Sequence, residues 1–337
     1  MAVQSPIIDL DERPDLADRA FAPRPGRHRY ADPQPRSWSA RPWLLALIAI
    51  LAALISGGIA LILPDAADRP RAPADSRATD PDRPPQVDPA AVAPKAPADG
   101  AVQVNFDGTF FSWAVLDADG HLWGSDNLSA LTWPGSIVKV WIVADFLRQA
   151  ADRGDTPSQA QLDKASRAIR DSDDRSANDL YQAAGGRRQL RRMISTCGLT
   201  DTVIEGDRWR SVRMSARDAV RLGRCVTDGR AAGPAWTDWV RREMAMVRGS
   251  IDPVDQPYGG RWGIIDGLPA GLQESGVGIK NGWIVVESEG EWHVNCLAVA
   301  DRWAMAVLTR YPAERGLEYG ARACADVAAR LVPGAAG

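Results

Sequence analysis

The segment WPGSIVKVW, Trp133 to Trp141, places Ser136 and Lys139 three residues apart, just after Pro134 and Gly135. The lysine is informative because the chain uses arginine almost everywhere. Of 40 Lys plus Arg, only Lys95, Lys139, Lys164 and Lys280 are lysines. Arginine stays charged in a protein, whereas a desolvated lysine can lose its proton and act as a base. Residues i and i+3 share one face of a helix, so the Lys139 amine is expected beside the Ser136 hydroxyl. A serine is a weak nucleophile until a neighbour takes its proton. A helix start adds backbone N–H groups and positive potential for a developing oxyanion.

Two further groups follow downstream. IRDSDDRSANDLY puts Ser172, Asp173 and Asp174 on a predicted helix, and GIKNGW puts Lys280, Asn281, Gly282 and Trp283 in a predicted strand. His121 and His293 fall in strand-like runs and read as structural or surface residues. The three histidines do not cluster with the cysteines, and no C-x-x-C spacing occurs, so neither a metal site nor a cofactor is expected.

These residues must be positioned by a chain of 337 residues, 45% apolar, with a net charge of −3. Its arginines are scattered among aspartates, which argues against nucleic-acid binding. Residues 43–63, WLLALIAILAALISGGIALIL, run 21 positions without a charge, about the length of a bilayer-spanning helix. A cleaved leader has a shorter apolar stretch behind a shorter start, so this one reads as an uncleaved anchor. Arg24, Arg27, Arg29, Arg36 and Arg41 ahead of it favour an N-terminus inside. Residues 1–42 read as a disordered cytoplasmic tail and 64–100 as a Pro/Ala-rich linker. Residues 101–337 are left as one extracytoplasmic domain.

Cys197, Cys225, Cys296 and Cys324 all lie beyond the anchor. Such a compartment permits disulfides, and four cysteines allow three pairings. The pairs nearest in sequence, Cys197–Cys225 and Cys296–Cys324, are expected, with buried free thiols as the alternative. In the domain, two strand-like runs joined by DADG read as a hairpin. A block of helices follows, then SGVGIKNGWIVV, EWHVNCLAVA and WAMAVLTRYP as strands, and a last helix. This order implies an α+β fold: an antiparallel sheet flanked by helices, with an inserted helical subdomain, preceded by one transmembrane helix.

In this order, S-x-x-K at Ser136, Ser-Asp-Asp at Ser172 and Lys-Asn-Gly at Lys280 resemble the motifs of the class A serine β-lactamases and penicillin-binding proteins. The likeness extends over roughly residues 104–333 and includes SANDL and MSARDAVRLG. It implies the β-lactamase/transpeptidase fold and acyl-serine chemistry on a β-lactam or a peptidoglycan-like amide of the cell envelope. Ser136 would be the acylated nucleophile, Lys139 its base and Ser172 a proton relay. Lys280, Asn281 and Asp174 would contact the substrate, and the backbone N–H groups of Ser136 and Trp283 would form the oxyanion hole. The chain departs from the pattern at three places. Asp174 replaces an asparagine, and Asn281 replaces a threonine or serine. In GDRWRSVRM, Arg210 stands where the deacylating glutamate is expected, with Glu205 and Asp207 as nearby substitutes. Deacylation is therefore expected to be slow or absent. The alternative is a catalytically degenerate relative that serves as a cell-envelope binding or scaffolding protein.

Overall fold

The structure, a computed structural model, describes residues 92–96, 102–252 and 260–332. The expected tail (1–42), anchor (43–63) and most of the linker lie outside the described residues. Among the described residues, no helix is long and apolar enough to cross a membrane.

Strand β1 (Phe110–Asp117) buries Phe110, Trp113, Ala114 and Val115 and turns through Asp117–Gly120 into β2 (Leu122–Gly124). The Asp117 carboxylate accepts the N–H groups of Asp119 and His121, and Gly120 takes φ 88°, so the Asp-Gly sequence closes the hairpin. The helical block runs α1 (Lys139–Asp152), α2 (Gln159–Arg170), α3 (Asp174–Ala183) and α4 (Arg187–Cys197). A two-stranded ribbon, β3 (Val203–Ile204) with β4 (Val212–Arg213), precedes α5 (Ala216–Thr227), α6 (Thr237–Ala245) and α7 (Ala270–Glu274). Strands β5 (Gly278–Val286), β6 (Glu291–Val299) and β7 (Trp303–Pro312) then lead into α8 (Gly316–Leu331).

The sheet has the order β2-β1-β7-β6-β5 and is antiparallel throughout. Period-2 alternation on β6 assigns its two faces. Val294 and Cys296 meet α8, where Gly320 lies against Val294 and Tyr311. Leu297 and Val299 meet α5 at Gly223. Helices therefore cover both faces, as the sequence implied. Fully buried side chains such as Trp141, Ile142 and Leu147 tie α1 into this core, each worth about 1.5–3 kcal/mol of burial.

Both expected disulfides form, with Cα–Cα separations of 5.3 Å for Cys197–Cys225 and 6.4 Å for Cys296–Cys324. The first joins the end of α4 to α5 across the loop that carries Arg210. The base of that loop is gathered by the buried Asp218 carboxylate, which accepts from the N–H groups of Thr200, Asp201 and Thr202 and from the Thr202 hydroxyl. With Arg221 Nη1 also donating to it, five donors on one buried carboxylate compensate its desolvation.

Candidate active site

Ser136 lies in a 3₁₀ turn, Gly135–Val138, that runs directly into α1 at Lys139. Gly135 needs φ 58° to start the turn. The segment before it is fixed from β6. Asn295 Nδ2 donates to the Trp133 carbonyl at 2.7 Å, and His293 Nδ1 lies 3.2 Å from Thr132 Oγ1. Glu289 orients the same histidine from its other nitrogen, Nε2, at 2.7 Å. His293 is thus structural, as expected, but it serves the serine-bearing segment.

Across the turn lies β5. A Cβ placed on Gly282 would fall 2.3 Å from Pro134 O and 2.6 Å from Ser136 N. One placed on Gly135 would lie 3.4 Å from Trp283 N. The Ser136 and Trp283 backbone nitrogens thus flank one narrow gap, and only glycine at 282 permits the approach.

The buried Lys139 amine does not hydrogen-bond Ser136. It donates to the Ser172 carbonyl and, at 3.3 Å, to Ser172 Oγ, and it pairs with Asp174 Oδ1 at 2.6 Å. Those three acceptors match the three protons of an ammonium. Among the described residues the Ser136 hydroxyl has no hydrogen-bond partner. Burial lowers the Lys139 pKa, while the Asp174 charge pulls it back up. Lys280, also buried, donates to Ser172 Oγ at 2.8 Å and to the Asn281 carbonyl at 3.3 Å. Burial, with the Lys139 charge beside it, pushes the Lys280 pKa well down. Ser136, Lys139, Ser172 and Lys280 therefore belong to one cluster, with both lysines meeting on Ser172.

Ser172 does not lie on a helix, contrary to the sequence reading. Helix α2 ends at Arg170, and Asp173 is the N-cap of α3, accepting from Ser176 N at 2.7 Å. Ser172 sits between them at φ 56°, the one non-glycine residue with positive φ among the described residues. Such backbone persists only when its surroundings hold it. Here Arg248 forks onto Asp171 and Arg170 forks onto Glu243 on one side, the Asp173 cap acts on the other, and both lysines grip Ser172 itself.

Asn281 has a structural task. It is buried, and its Nδ2 donates to the carbonyls of Gly260 and Trp262, each at 2.7 Å. The side chain fastens the neighbouring segment. Trp283 is half-buried, its ring edge-on to Trp262 at 5.5 Å.

Arg210 and Asp174, the two altered positions, meet. Arg210 Nη2 contacts Asp174 Oδ2 at 2.7 Å, and its guanidinium lies 4.9 Å over the Trp209 ring. The Lys139 amine sits 5.2 Å over the same ring. Trp209 is held by its Nε1 donating to Asn178 Oδ1 at 2.6 Å. Asp174 thus gives one oxygen to Lys139 and the other to Arg210. Burial pushes its pKa up, but Lys139 and Arg210 outweigh burial and hold it below the usual carboxylate value. The substitutes for the missing glutamate are engaged elsewhere: Glu205 pairs with Arg213, and the exposed Asp207 with Arg187. No local pattern signals the Asp174–Arg210 pair or the Asn295 and His293 supports, because each joins residues far apart in the chain.

No family profile matches the chain. It is 27% identical over 211 residues, 61% of its length, to proteins named "Putative lipoprotein LppW" from Mycobacterium bovis and Mycobacterium tuberculosis. The match spans 65% of the length of those relatives. Among solved structures, a class A β-lactamase from Mycobacterium abscessus superposes with a TM-score of 0.51 and 18% identity over 70% of this chain and 97% of that one. A β-lactamase from Sphaerobacter thermophilus gives 0.50 and 14% over 65% and 88%. An ancestral class A β-lactamase gives 0.52 and 18% over 67% and 94%.

Proposed function

The chain has the fold of the serine β-lactamase and penicillin-binding superfamily, and from it we propose that the domain takes an amide, a β-lactam or a peptidoglycan-like cell-envelope peptide, onto Ser136 and does not turn it over. The observation that carries this reading is Arg210. A cation, not a carboxylate, stands beside Asp174 and over Trp209, so among the described residues no carboxylate takes the place of the deacylating base. Acylation has its parts. Among the described residues the Ser136 hydroxyl has no hydrogen-bond partner, and the close approach of Gly135 and Gly282 supports an oxyanion hole made by the Ser136 and Trp283 N–H groups. Lys139, its pKa lowered by burial, is the base in its neutral amine form, after its ammonium has released one proton to water. The Ser136 proton passes to Lys139 and on through Ser172 Oγ, which both lysines touch, to the leaving nitrogen. Lys280 supplies positive charge for a ligand carboxylate.

Residues 43–63 anchor the domain in this reading, with the N-terminus cytoplasmic and the domain outside. Two disulfides support an oxidising compartment, and a relative named a lipoprotein supports membrane association. A second reading, a binding protein without chemistry, is favoured by one observation: all three Lys139 protons are already taken by Ser172 and Asp174.

Intact-mass measurement of the purified domain after incubation with benzylpenicillin separates the two. The first reading expects a long-lived adduct that is absent in Ser136→Ala. Binding with no adduct at saturating concentration and long times establishes the second.

A further inference from the structure

Asp174 introduces a negative charge at the mouth of the cluster that holds Ser172, and about a third of its side chain is exposed. A bare carboxylate there would repel an anionic ligand and leave Lys280 as the lone attraction. The structure answers that charge from two sides. Lys139 takes Oδ1 at 2.6 Å and Arg210 takes Oδ2 at 2.7 Å. The Arg210 guanidinium is also backed by the Trp209 ring, which is itself pinned to Asn178. Its direction is therefore set by packing as well as by charge, and a planar fork so held loses little freedom on pairing.

We infer that Arg210 is the specificity-determining residue of this cleft: it cancels Asp174, so that a ligand bearing a carboxylate is accepted. Asp174 and Arg210 act as one unit, held by the contact of Arg210 Nη2 with Asp174 Oδ2. With Arg210 present, each oxygen of Asp174 is answered by a cation, and Lys280 is left to attract an anion. Without it, Lys139 alone must serve both Asp174 and the hydroxyl network, and the outer oxygen of Asp174 is turned on the ligand. With Asp174 replaced by an amide, the charge that Arg210 cancels at this position is gone.

This inference rests on the assignment of the cleft as a ligand site, and its test separates it from the acyl-serine chemistry. Dissociation constants for benzylpenicillin and for its uncharged methyl ester are measured calorimetrically on four proteins, all carrying Ser136→Ala. These are the otherwise native domain, Arg210→Ala, Asp174→Asn and the double variant. At an effective dielectric near 20, an uncancelled charge several ångströms from the ligand is worth about tenfold or more in affinity. Arg210→Ala is expected to weaken the acid by at least about tenfold and the ester by less than about twofold. The double variant should return the acid to within about threefold of Asp174→Asn. A merely structural Arg210 would weaken acid and ester alike and would not be rescued by Asp174→Asn. Either result overturns the inference, as does failure of the otherwise native domain to bind the acid. Charge-selective binding with no adduct on Ser136 in the parent protein sinks the acyl-serine chemistry and leaves the inference standing. An adduct formed at equal rates from acid and ester does the reverse.

Discussion

Gly282→Ala probes the narrowest point of the site. The new methyl would fall 2.3 Å from Pro134 O, 2.6 Å from Ser136 N and 3.0 Å from Gly135 C. All three are backbone atoms, so no side chain can swing aside. A tolerable carbon–oxygen separation is about 3.3 Å, so the turn and β5 must part by about 1 Å. Overpacking of this kind costs about 1–3 kcal/mol, or roughly 2–12 °C in Tm for a domain of this size. The effect on reactivity is larger. The Ser136 and Trp283 N–H groups no longer converge on one oxygen, and losing one oxyanion donor or shifting it by about 1 Å costs about 10²-fold or more. Adduct formation with benzylpenicillin, followed by intact mass against time, should slow by at least about that factor. Differential scanning fluorimetry reports the stability loss separately. A variant that is destabilised yet reacts at the native rate would refute the oxyanion assignment. A variant with native Tm would refute the close approach itself.

Three other perturbations follow from the same geometry. Asp174→Asn together with Arg210→Glu removes the outer ion pair and places a carboxylate near Lys139, so steady-state β-lactam hydrolysis should appear, about 10²-fold or more above the parent rate, with neither single variant sufficient. Cys197 and Cys225 close a loop with a sequence separation of 28, as do Cys296 and Cys324, so loop entropy predicts about 3.6 kcal/mol from each bond; urea unfolding of Cys197→Ala/Cys225→Ala should show a loss near that size, and an unchanged midpoint would contradict it. Burial lowers the His293 pKa below its ordinary 6.5, with Glu289 and Glu291 opposing and Arg310 adding to the shift. The unfolded chain then binds the extra proton first, so stability present above pH 6.5 is lost as pH falls through the folded value; His293→Gln should flatten the decline in urea midpoint between pH 7 and 5.

The legible parts of this molecule were local. The hairpin at Asp117–Gly120, the three late strands and the last helix each announce themselves within a dozen residues, by alternation, turn residues or period. The S-x-x-K spacing placed Ser136 and Lys139 together for the same reason. The sequence reading erred where a tertiary contact overrides a local preference. The run around Ser172 has helical composition on both sides, yet Ser172 adopts φ 56° because the Asp171–Arg248 fork, the Asp173 cap and two lysines hold it there. Lys139 was expected on Ser136, and the spacing allows it, but Asp174 and Ser172 offer the ammonium three better acceptors. Asn281 stands in a strand that faces the cleft, yet its amide is claimed by two carbonyls at residues 260 and 262. The pairing of Asp174 with Arg210 could not be read from two departures 36 positions apart. Each looked like damage taken singly, and their complementarity is visible only in space.

The pairing of β1 with β7 bears on how the molecule comes into being. Phe110 lies opposite Arg310 and Asp117 opposite Trp303, so the first strand of the sheet finds its central neighbour close to 200 residues later. A ribosome, or a pore that releases the chain from its N-terminus, must deliver almost the whole domain before β1 can be enclosed. Until then the apolar face of the β1–β2 hairpin lacks its β7 neighbour, and Cys296 still awaits Cys324. Contacts this distant in sequence make assembly slow and its intermediates adhesive. The domain therefore finishes folding only once nearly all of it has been synthesised.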